Sequence, residues 1–218
     1  MGTEFSVAAK APPRRSLHLI VDCQRPRAAL LDCIGLAVEA GVDWVHVRDH
    51  RASARDLFLL ARVVKQASYP HGTGLAVHDR VDVALAVGAD AVQLGERSLD
   101  PVSVRRIAPR LGIGISVHTL DAARAASAVD VDWLTFGHVF PTESHPGEPA
   151  CGVDALAKVV QAVSRPVIAI GGITVENVSQ VLAAGAAGIA VISAILGAAD
   201  PGAATASLRR LLDQTSGR

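Results

Sequence analysis

The sequence has few aromatic residues, and this limits how its core can be built. Aromatics make up 3% of the chain, while hydrophobic residues make up 50% of its 218 residues. The core must therefore consist mainly of Val, Ile, Leu and Ala, the residues of buried parallel strands and of the helices that cover them. A chain of this length and apolar content is expected to form one domain, since two would be cramped.

The sequence also lacks an excess of charge and any long apolar run. The formal net charge is +0, which gives no electrostatic basis for binding nucleic acid or an anionic membrane. No window approaches the roughly 18 apolar residues that a membrane span requires, and the N-terminus has no signal-type apolar region. We therefore expect neither nucleic acid nor a membrane as a partner.

Cysteines are too few and too scattered for a disulfide framework or a metal site. Cys23, Cys33 and Cys151 form no CxxC pair, which predicts a reducing compartment, the cytoplasm, and gives no reason to assign any of them a catalytic role. Residues 1–15 have the character of a flexible leader or a cloning remnant. The folded domain is expected to span residues 16–218.

From Leu17 onward, short apolar runs alternate with segments whose apolar residues recur at helical spacing. Glycine-rich signals at 41–43, 88–90 and 185–188 end helices and lead into the next strand. The predicted strands are 17–21, 44–48, 74–78, 91–94, 113–117, 133–136, 167–170 and 189–191. The predicted helices include 28–40, 54–66, 102–109, 120–128, 153–163 and 176–184.

Eight such units in this length predict an α/β fold, a single (β/α)8 TIM barrel. The alternative is an open Rossmann-like sheet. No G-x-G-x-x-G follows the first strand, and the glycines at 112 and 114 do not complete that fingerprint. A closed barrel is therefore preferred.

The last two predicted strands indicate a phosphate site. Residues 166–174 and 188–194 are apolar runs that break at glycine or serine just before a helical pattern. Backbone N–H groups at such breaks bind anions, and the loops after strands seven and eight of a barrel are the usual place for a phosphate. The candidate phosphate-binding residues are Gly171, Gly172, Ile192 and Ser193. Tight packing of helix against strand would explain the same glycines.

Polar residues gather at the other predicted strand ends, where a barrel carries its chemistry. Five of the eight histidines lie there: His46, His50, His78, His118 and His138. Arg48 shares a strand face with two of them, and its guanidinium can pair with a carboxylate or a phosphate. A structural ion pair with Asp49 or Asp79 is the other interpretation of Arg48. A metal site built from the strand histidines is a weaker hypothesis, because carboxylate partners are sparse.

These strand ends resemble the thiamine-phosphate synthase and TenI superfamily over essentially the whole chain from Leu17. The resemblance implies a TIM barrel, a thiazole phosphate ligand and a role in making the thiazole half of thiamine. The motifs that carry it are VHVRD at 45–49, HDR at 78–80, GADAVQLG at 88–95, GISVH at 114–118, GHVFPT at 137–142, AIGGI at 169–173 and IAVIS at 189–193.

The superfamily contains two activities, and the sequence departs from the synthase pattern. Where synthases usually have Gln-x-Arg-x-Lys, this chain has His46 and His50 around its arginine. Ser98 stands in place of a second magnesium carboxylate, His138 in place of a proline, and His145 in place of a lysine. Fixed cations and Mg2+ suit a departing diphosphate, whereas neutral histidines suit proton transfer.

The resemblance therefore favours the TenI branch, and we expect an isomerase, a thiazole tautomerase. Such an enzyme aromatises the carboxythiazole tautomer phosphate to 2-(2-carboxy-4-methylthiazol-5-yl)ethyl phosphate, with no redox cofactor and no metal. The resemblance implies His118 as the first catalytic acid–base residue and His138 as the second. A loop histidine bonded to the backbone is the alternative for His138. The expected substrate-binding residues are Arg48, His46, His50, His78, Thr142 and Ser144.

Two other functions stay open at this point. One is a divergent thiamine-phosphate synthase joining hydroxymethylpyrimidine diphosphate to thiazole phosphate, and the other is a non-catalytic thiazole phosphate sensor. The loop 142–152, rich in proline and glycine, is expected to close over the ligand. The apolar segments 153–163 and 178–187 predict a homo-oligomer, a dimer or a tetramer.

Overall fold

A computed structural model describes residues 15–22 and 27–214 of the chain. The predicted leader lies outside the described residues except for Arg15, and Cys23 lies outside them as well. None of the described helices has the length and apolar character to cross a membrane.

Eight parallel strands in the described part of the chain form a closed barrel, which confirms the predicted (β/α)8 fold. Each strand pairs with the next, and the first pairs with the last. The strands are β1 (Ser16–Asp22), β2 (Trp44–Arg48), β3 (Gly74–His78), β4 (Ala91–Leu94), β5 (Gly112–Val117), β6 (Trp133–Gly137), β7 (Val167–Ile170) and β8 (Gly188–Val191).

Helices follow the strands and cover the barrel. The helices are α1 (Arg27–Glu39), α2 (Ala54–Ser68), α3 (Val81–Val87), α4 (Pro101–Ile107), α5 (Leu120–Ser127), α6 (Val153–Ala162), α7 (Val178–Ala183), α8 (Ser193–Leu196) and α9 (Pro201–Gln214). The strand predictions hold to within a residue or two at each end. The sequence analysis assigned no bounds to α3, α8 or α9, and α3 and α8 are too short to show clear helical periodicity.

The core consists mainly of Val, Ile, Leu and Ala, as predicted, and two tryptophans lie among them inside the barrel. Trp44 and Trp133 lie inside it, with ring centroids 5.5 Å apart. A Cβ at Gly74 would lie 2.7 Å from the ring of Trp44, and one at Gly114 would lie 2.3 Å from Trp133. The two tryptophans thus lie where glycines on neighbouring strands leave room for an indole.

Three aspartates close the amino-terminal end of the barrel. Asp43, Asp90 and Asp132 immediately precede β2, β4 and β6, and each accepts a hydrogen bond of 2.7–2.8 Å from a backbone N–H of the preceding strand. Asp43 also pairs with Arg209 of α9 at 2.7 Å. The signals at 41–43 (Gly-Val-Asp) and 88–90 (Gly-Ala-Asp) therefore each supply a carboxylate that joins neighbouring strands, and Asp132 does the same without a preceding glycine signal.

Candidate active site

A cavity of about 410 Å³ opens at the carboxyl ends of the strands. Every residue that the sequence analysis assigned to the site contributes to its wall. These residues are His46, Arg48, His50, His78, His118, His138, Thr142, Ser144, Gly171, Gly172, Ile192 and Ser193. The closed barrel brings them together because its strands are parallel and all end on the same face.

A chain of hydrogen-bonded imidazoles runs through the barrel towards this cavity; we call it the histidine chain, formed by His18, His46 and His78. The Nε2 atom of His18 lies 2.7 Å from the Ser16 hydroxyl, and its Nδ1 atom lies 2.8 Å from Nε2 of His46. The Nδ1 atom of His46 lies 3.2 Å from Nε2 of His78. Both ring nitrogens of His46 are thus bonded to other histidines.

Burial keeps the histidine chain neutral. Removal from water lowers the pKa of His46 to about 3. Burial, followed by the neighbouring His46, also lowers the pKa of His18 and of His78, and Arg48 and His50 depress that of His78 further. A neutral imidazole has one N–H and one lone pair, so His18 and His46 each donate one hydrogen bond and accept the other.

Arg48 is linked to an acidic group by way of His50. The Nε atom of Arg48 donates to Nε2 of His50 at 3.0 Å, and Nδ1 of His50 lies 3.3 Å from a carboxylate oxygen of Asp79. The hydroxyl of Ser98 donates to Asp79 and accepts from the N–H of Gly95. The loops after β2, β3 and β4 therefore carry one connected polar network at the cavity wall.

The two predicted catalytic histidines differ in their surroundings. His118 is exposed, and its Nδ1 atom is hydrogen-bonded to the carbonyl oxygen of Gly137. His138 is buried, follows a cis peptide bond, and has its Nε2 atom 3.4 Å from the carbonyl oxygen of Glu148. Its ring stacks on His145 with centroids 4.8 Å apart. The backbone contact of His138 agrees with the alternative interpretation of a bonded loop histidine.

The loop after β7 packs tightly under the loop after β6. Gly171 and Gly172 have φ values of +100° and +63°. A Cβ on Gly171 would lie 2.3 Å from the Cβ of His138, and one on Gly172 would lie 2.4 Å from the carbonyl oxygen of Pro141. The glycines are thus required by packing, which leaves their role as phosphate binders a prediction.

Several cavity residues were not assigned by the sequence analysis. They are Gln93, Ser116, Thr135, Asp79, Glu96 and Arg97. The Gln93 amide accepts from Trp133 at 3.1 Å and donates to Ser116 at 3.0 Å. The two-residue strand period places Gln93 on the inner face with Ala91, a signal that was present in the sequence. Arg97 lies on a loop, where no periodicity marks it.

The fold and the cavity define a (β/α)8-barrel protein with a polar, histidine-rich pocket at the carboxyl ends of its strands. Residues 17–195 match the family model described as thiamine monophosphate synthase. The chain therefore belongs to the thiamine monophosphate synthase family.

Curated relatives cover nearly the whole chain. It is 39% identical to the thiamine-phosphate synthase of Pyrococcus abyssi, over 94% of this chain and 99% of the relative. It is 42% identical to that of Thermobifida fusca, over 90% of this chain and 91% of the relative. A solved thiamine phosphate pyrophosphorylase from Pyrococcus furiosus superposes with a TM-score of 0.85 at 36% identity, covering 94% of this chain and 98% of that one.

These relatives overturn the prediction of a TenI-type tautomerase and of an isomerase. They are named as synthases and match this chain along nearly its full length. The physical reason for the error lies in the strand-end histidines, which were interpreted as proton carriers. His46 and His78, which were expected to bind substrate, are hydrogen-bonded to each other and kept neutral by burial, so histidine at these strand positions does not indicate proton transfer. The acid–base roles implied for His118 and His138 belonged to the tautomerase and fall with it.

Proposed function

We propose that this protein is a thiamine-phosphate synthase, a transferase that joins hydroxymethylpyrimidine diphosphate to thiazole phosphate. The single observation that carries the proposal is the identity of 39% to the Pyrococcus abyssi synthase across 94% of this chain. In this reaction the thiazole nitrogen forms a bond to the pyrimidine methylene carbon. The bond from that carbon to the diphosphate oxygen breaks, and the electron pair leaves with the diphosphate.

The cavity contains groups suited to a departing diphosphate. Arg48 and Arg97 line it and offer planar donors for phosphate oxygens. Arg48 is already oriented by its 3.0 Å bond to His50. The positive charge of these two guanidinium groups favours the anion that forms as the bond breaks.

Asp79 fits the Mg2+ that synthases use. Mg2+ is commonly held by one or two carboxylates together with substrate phosphates and water. Asp79 supplies one carboxylate at the cavity wall, and Ser98, whose hydroxyl is bonded to it, supplies a second oxygen. Asp79 and Ser98 would therefore hold the ion, which when bound neutralises charge on the diphosphate. Asp79 itself is positioned by its contact of 3.3 Å with His50.

The remaining cavity groups suit the second substrate. The backbone N–H groups near Gly171, Gly172 and Ser193 are proposed to bind the thiazole phosphate, with the phosphate lying over the loops after β7 and β8. His118 is proposed to contact the thiazole ring. It follows β5, two strands along the barrel from the end of β3 that carries Asp79.

The test is synthesis of thiamine phosphate by the purified full-length chain. Hydroxymethylpyrimidine diphosphate, thiazole phosphate and Mg2+ are supplied, and the product is followed by chromatography. We expect turnover that requires all three components and stops when Mg2+ is chelated. Product formation no faster than in a reaction without protein would overturn the proposal.

Location and assembly belong to the same proposal. A cytoplasmic location is proposed from the cysteine usage and from the biosynthetic names of the relatives. A homo-oligomer also remains a proposal, although the structure removes part of its basis. Leu156, Val159 and Val178 of the apolar helices are buried against the barrel of a single chain. Light scattering that gives the monomer mass at micromolar concentration would refute assembly.

A further inference from the structure

We propose that His138, His145 and Glu148 form a binding site for a divalent transition-metal ion of the zinc type, with one coordination position open to the cavity. Among the described residues, these three form the group of His, Cys, Asp or Glu side chains whose possible ligand atoms converge. One ring nitrogen of each histidine and one carboxylate oxygen lie within 4.8 Å of one another. We call this group the loop triad.

The backbone of the β6–α6 loop holds the loop triad in place. The N–H of Cys151 donates to the carbonyl of His138 at 2.9 Å, which closes the base of the loop. Within the loop, the backbone N–H of His145 donates to the carbonyl oxygen of Thr142 at 3.1 Å. The backbone N–H of Glu148 donates to the carbonyl oxygen of His145 at 3.3 Å. These two turns bring residues separated by up to ten positions in sequence to one side of the loop.

The ligand atoms need only a small movement to bind an ion. Ligand atoms at zinc distances of about 2.0–2.2 Å lie roughly 3.4 Å apart in a tetrahedral site. The three ligand atoms lie at most 4.8 Å from one another, so each pair would have to approach by about 1.4 Å at most. The two imidazoles are stacked at an interplanar angle of 16°, so one ring must tilt to point the lone pair of its nitrogen at an ion shared with the other. Glu148 is exposed, and its side chain is able to swing inwards.

A buried nitrogen without a partner is a second, independent observation that favours a metal ion at the loop triad. The Nδ1 atom of His145 is buried and has no hydrogen-bond partner in the part of the chain that the structure describes. A buried polar atom without a partner destabilises the folded chain. A metal ion at the loop triad would remove this destabilisation. It would either bind the Nδ1 atom directly or let the ring of His145 turn so that Nδ1 faces solvent.

The ligand chemistry favours a zinc-type ion over Mg2+. Two imidazole nitrogens suit Zn2+, Co2+ or Ni2+, whereas Mg2+ prefers oxygen ligands such as those of Asp79 and Ser98. Three protein ligands leave a tetrahedral ion with one free position. His138 and His145 both line the cavity, so an oxygen of a phosphate or carboxylate ligand would take that position. The ion would then join the β6–α6 loop to the bound anion.

Co2+ is the probe that tests this site, because its visible absorption reports a tetrahedral environment. Untagged full-length protein is stripped with a chelator and titrated with Co2+ alone. We expect one tetrahedral Co2+ per chain, displaced by Zn2+ and retained in excess Mg2+. His145→Ala and Glu148→Gln should each weaken Co2+ binding at least about tenfold. No tetrahedral signal in the unmodified protein would overturn the proposal.

Two matched variants control for nonspecific effects. Glu143→Gln removes a carboxylate from the same loop, and His71→Ala removes an exposed histidine elsewhere; both should bind Co2+ as the unmodified protein does. Because His145 and Glu148 lie on a loop outside the core, both variants should still unfold in one cooperative thermal transition without metal. Co2+ affinity equal to that of Glu143→Gln would overturn the assignment of these ligands.

Inorganic phosphate tests the open position. Added to the Co2+-loaded protein, it should change the visible spectrum by entering the coordination sphere. An unchanged spectrum at saturating phosphate would contradict the proposal that one coordination position is open to the cavity. These readouts do not involve synthase activity, so they stand or fall separately from the proposed function.

Discussion

The Nδ1 atom of His18 lies 2.8 Å from the Nε2 atom of His46, inside a closed barrel where both side chains are almost fully buried. Each ring has one further bond, His18 to Ser16 and His46 to His78. A neutral imidazole cannot donate through both nitrogens. The N–H groups of the whole histidine chain must therefore point in one common direction, either towards the cavity or away from it.

We expect the histidine chain to make folding stability depend on pH. Burial holds the pKa of His46 near 3 and lowers that of His18, whereas an unfolded histidine titrates near 6.5. Above that value both states are neutral and no stability is lost. As the pH falls below about 6.5, these histidines become protonated in the unfolded state but stay neutral in the folded state. The free energy of unfolding therefore falls by about 1.4 kcal/mol per pH unit for each histidine.

Urea unfolding at pH 7, 6 and 5 measures this effect before most carboxylates titrate. The free energy of unfolding should fall by about 3 kcal/mol per pH unit near pH 5 from the two fully buried rings. His71→Ala, at an exposed position, should leave the slope unchanged. A free energy that stays flat between pH 7 and pH 5 would contradict the prediction.

A second prediction concerns Gly172, where backbone conformation and packing act together. Gly172→Ala places a methyl group 2.4 Å from the carbonyl oxygen of Pro141. Gly72 has a similar φ of +71° and open space around its Cβ position. Gly72→Ala should thus cost only the left-handed backbone penalty of about 1–2 kcal/mol. Gly172→Ala should cost about 1–3 kcal/mol more in chemical unfolding, and equal costs would refute the close packing.

A third prediction tests the carboxylate at the cavity wall. Asp79→Asn keeps the size of the side chain and removes the charge that would hold Mg2+ against a diphosphate. We expect kcat/KM for thiamine phosphate formation to fall about 100-fold, as when one electrostatic contact to developing charge is lost. Asp82→Asn is the control, because this carboxylate is paired with Arg80 at the surface. Activity within a factor of two of the unmodified protein would exclude a role for Asp79 in catalysis.

A fourth prediction concerns the aspartates at the amino-terminal end. Asp90→Ala removes the acceptor for the N–H of Leu75, bonded at 2.8 Å. A partly buried donor left without a partner should cost about 1–3 kcal/mol of unfolding free energy. Asp121→Ala, whose side chain is 95% exposed, should change stability by less than about 0.5 kcal/mol. Similar values for the two variants would show that Asp90 does not join the strands.

The sequence was sufficient to predict the barrel because strand-forming runs and glycine signals are local features. The bounds of β2, β3, β4 and β7 agree with the predicted ranges. The same alternation placed the site residues at strand ends, and a parallel barrel brings those ends together. Fold and pocket thus follow from local patterns and from one topological rule.

The histidine chain could not be predicted in this way. His18 lies opposite Trp44, and Ile20 lies opposite His46, in the register of β1 and β2. The bond between His18 and His46 therefore runs diagonally across two strands, and its existence depends on the stagger of the closed barrel. No sequence spacing reveals that stagger. Without it, strand histidines could be mistaken for proton carriers.

The aligned imidazoles also restrict how this protein can change over time. Replacing His46 by an apolar side chain would leave the fully buried Nδ1 atom of His18 without its partner, so that single exchange would destabilise the protein. The three positions are consequently expected to be inherited as a linked trait. Relatives with a different residue at the first position are expected to differ at the second as well.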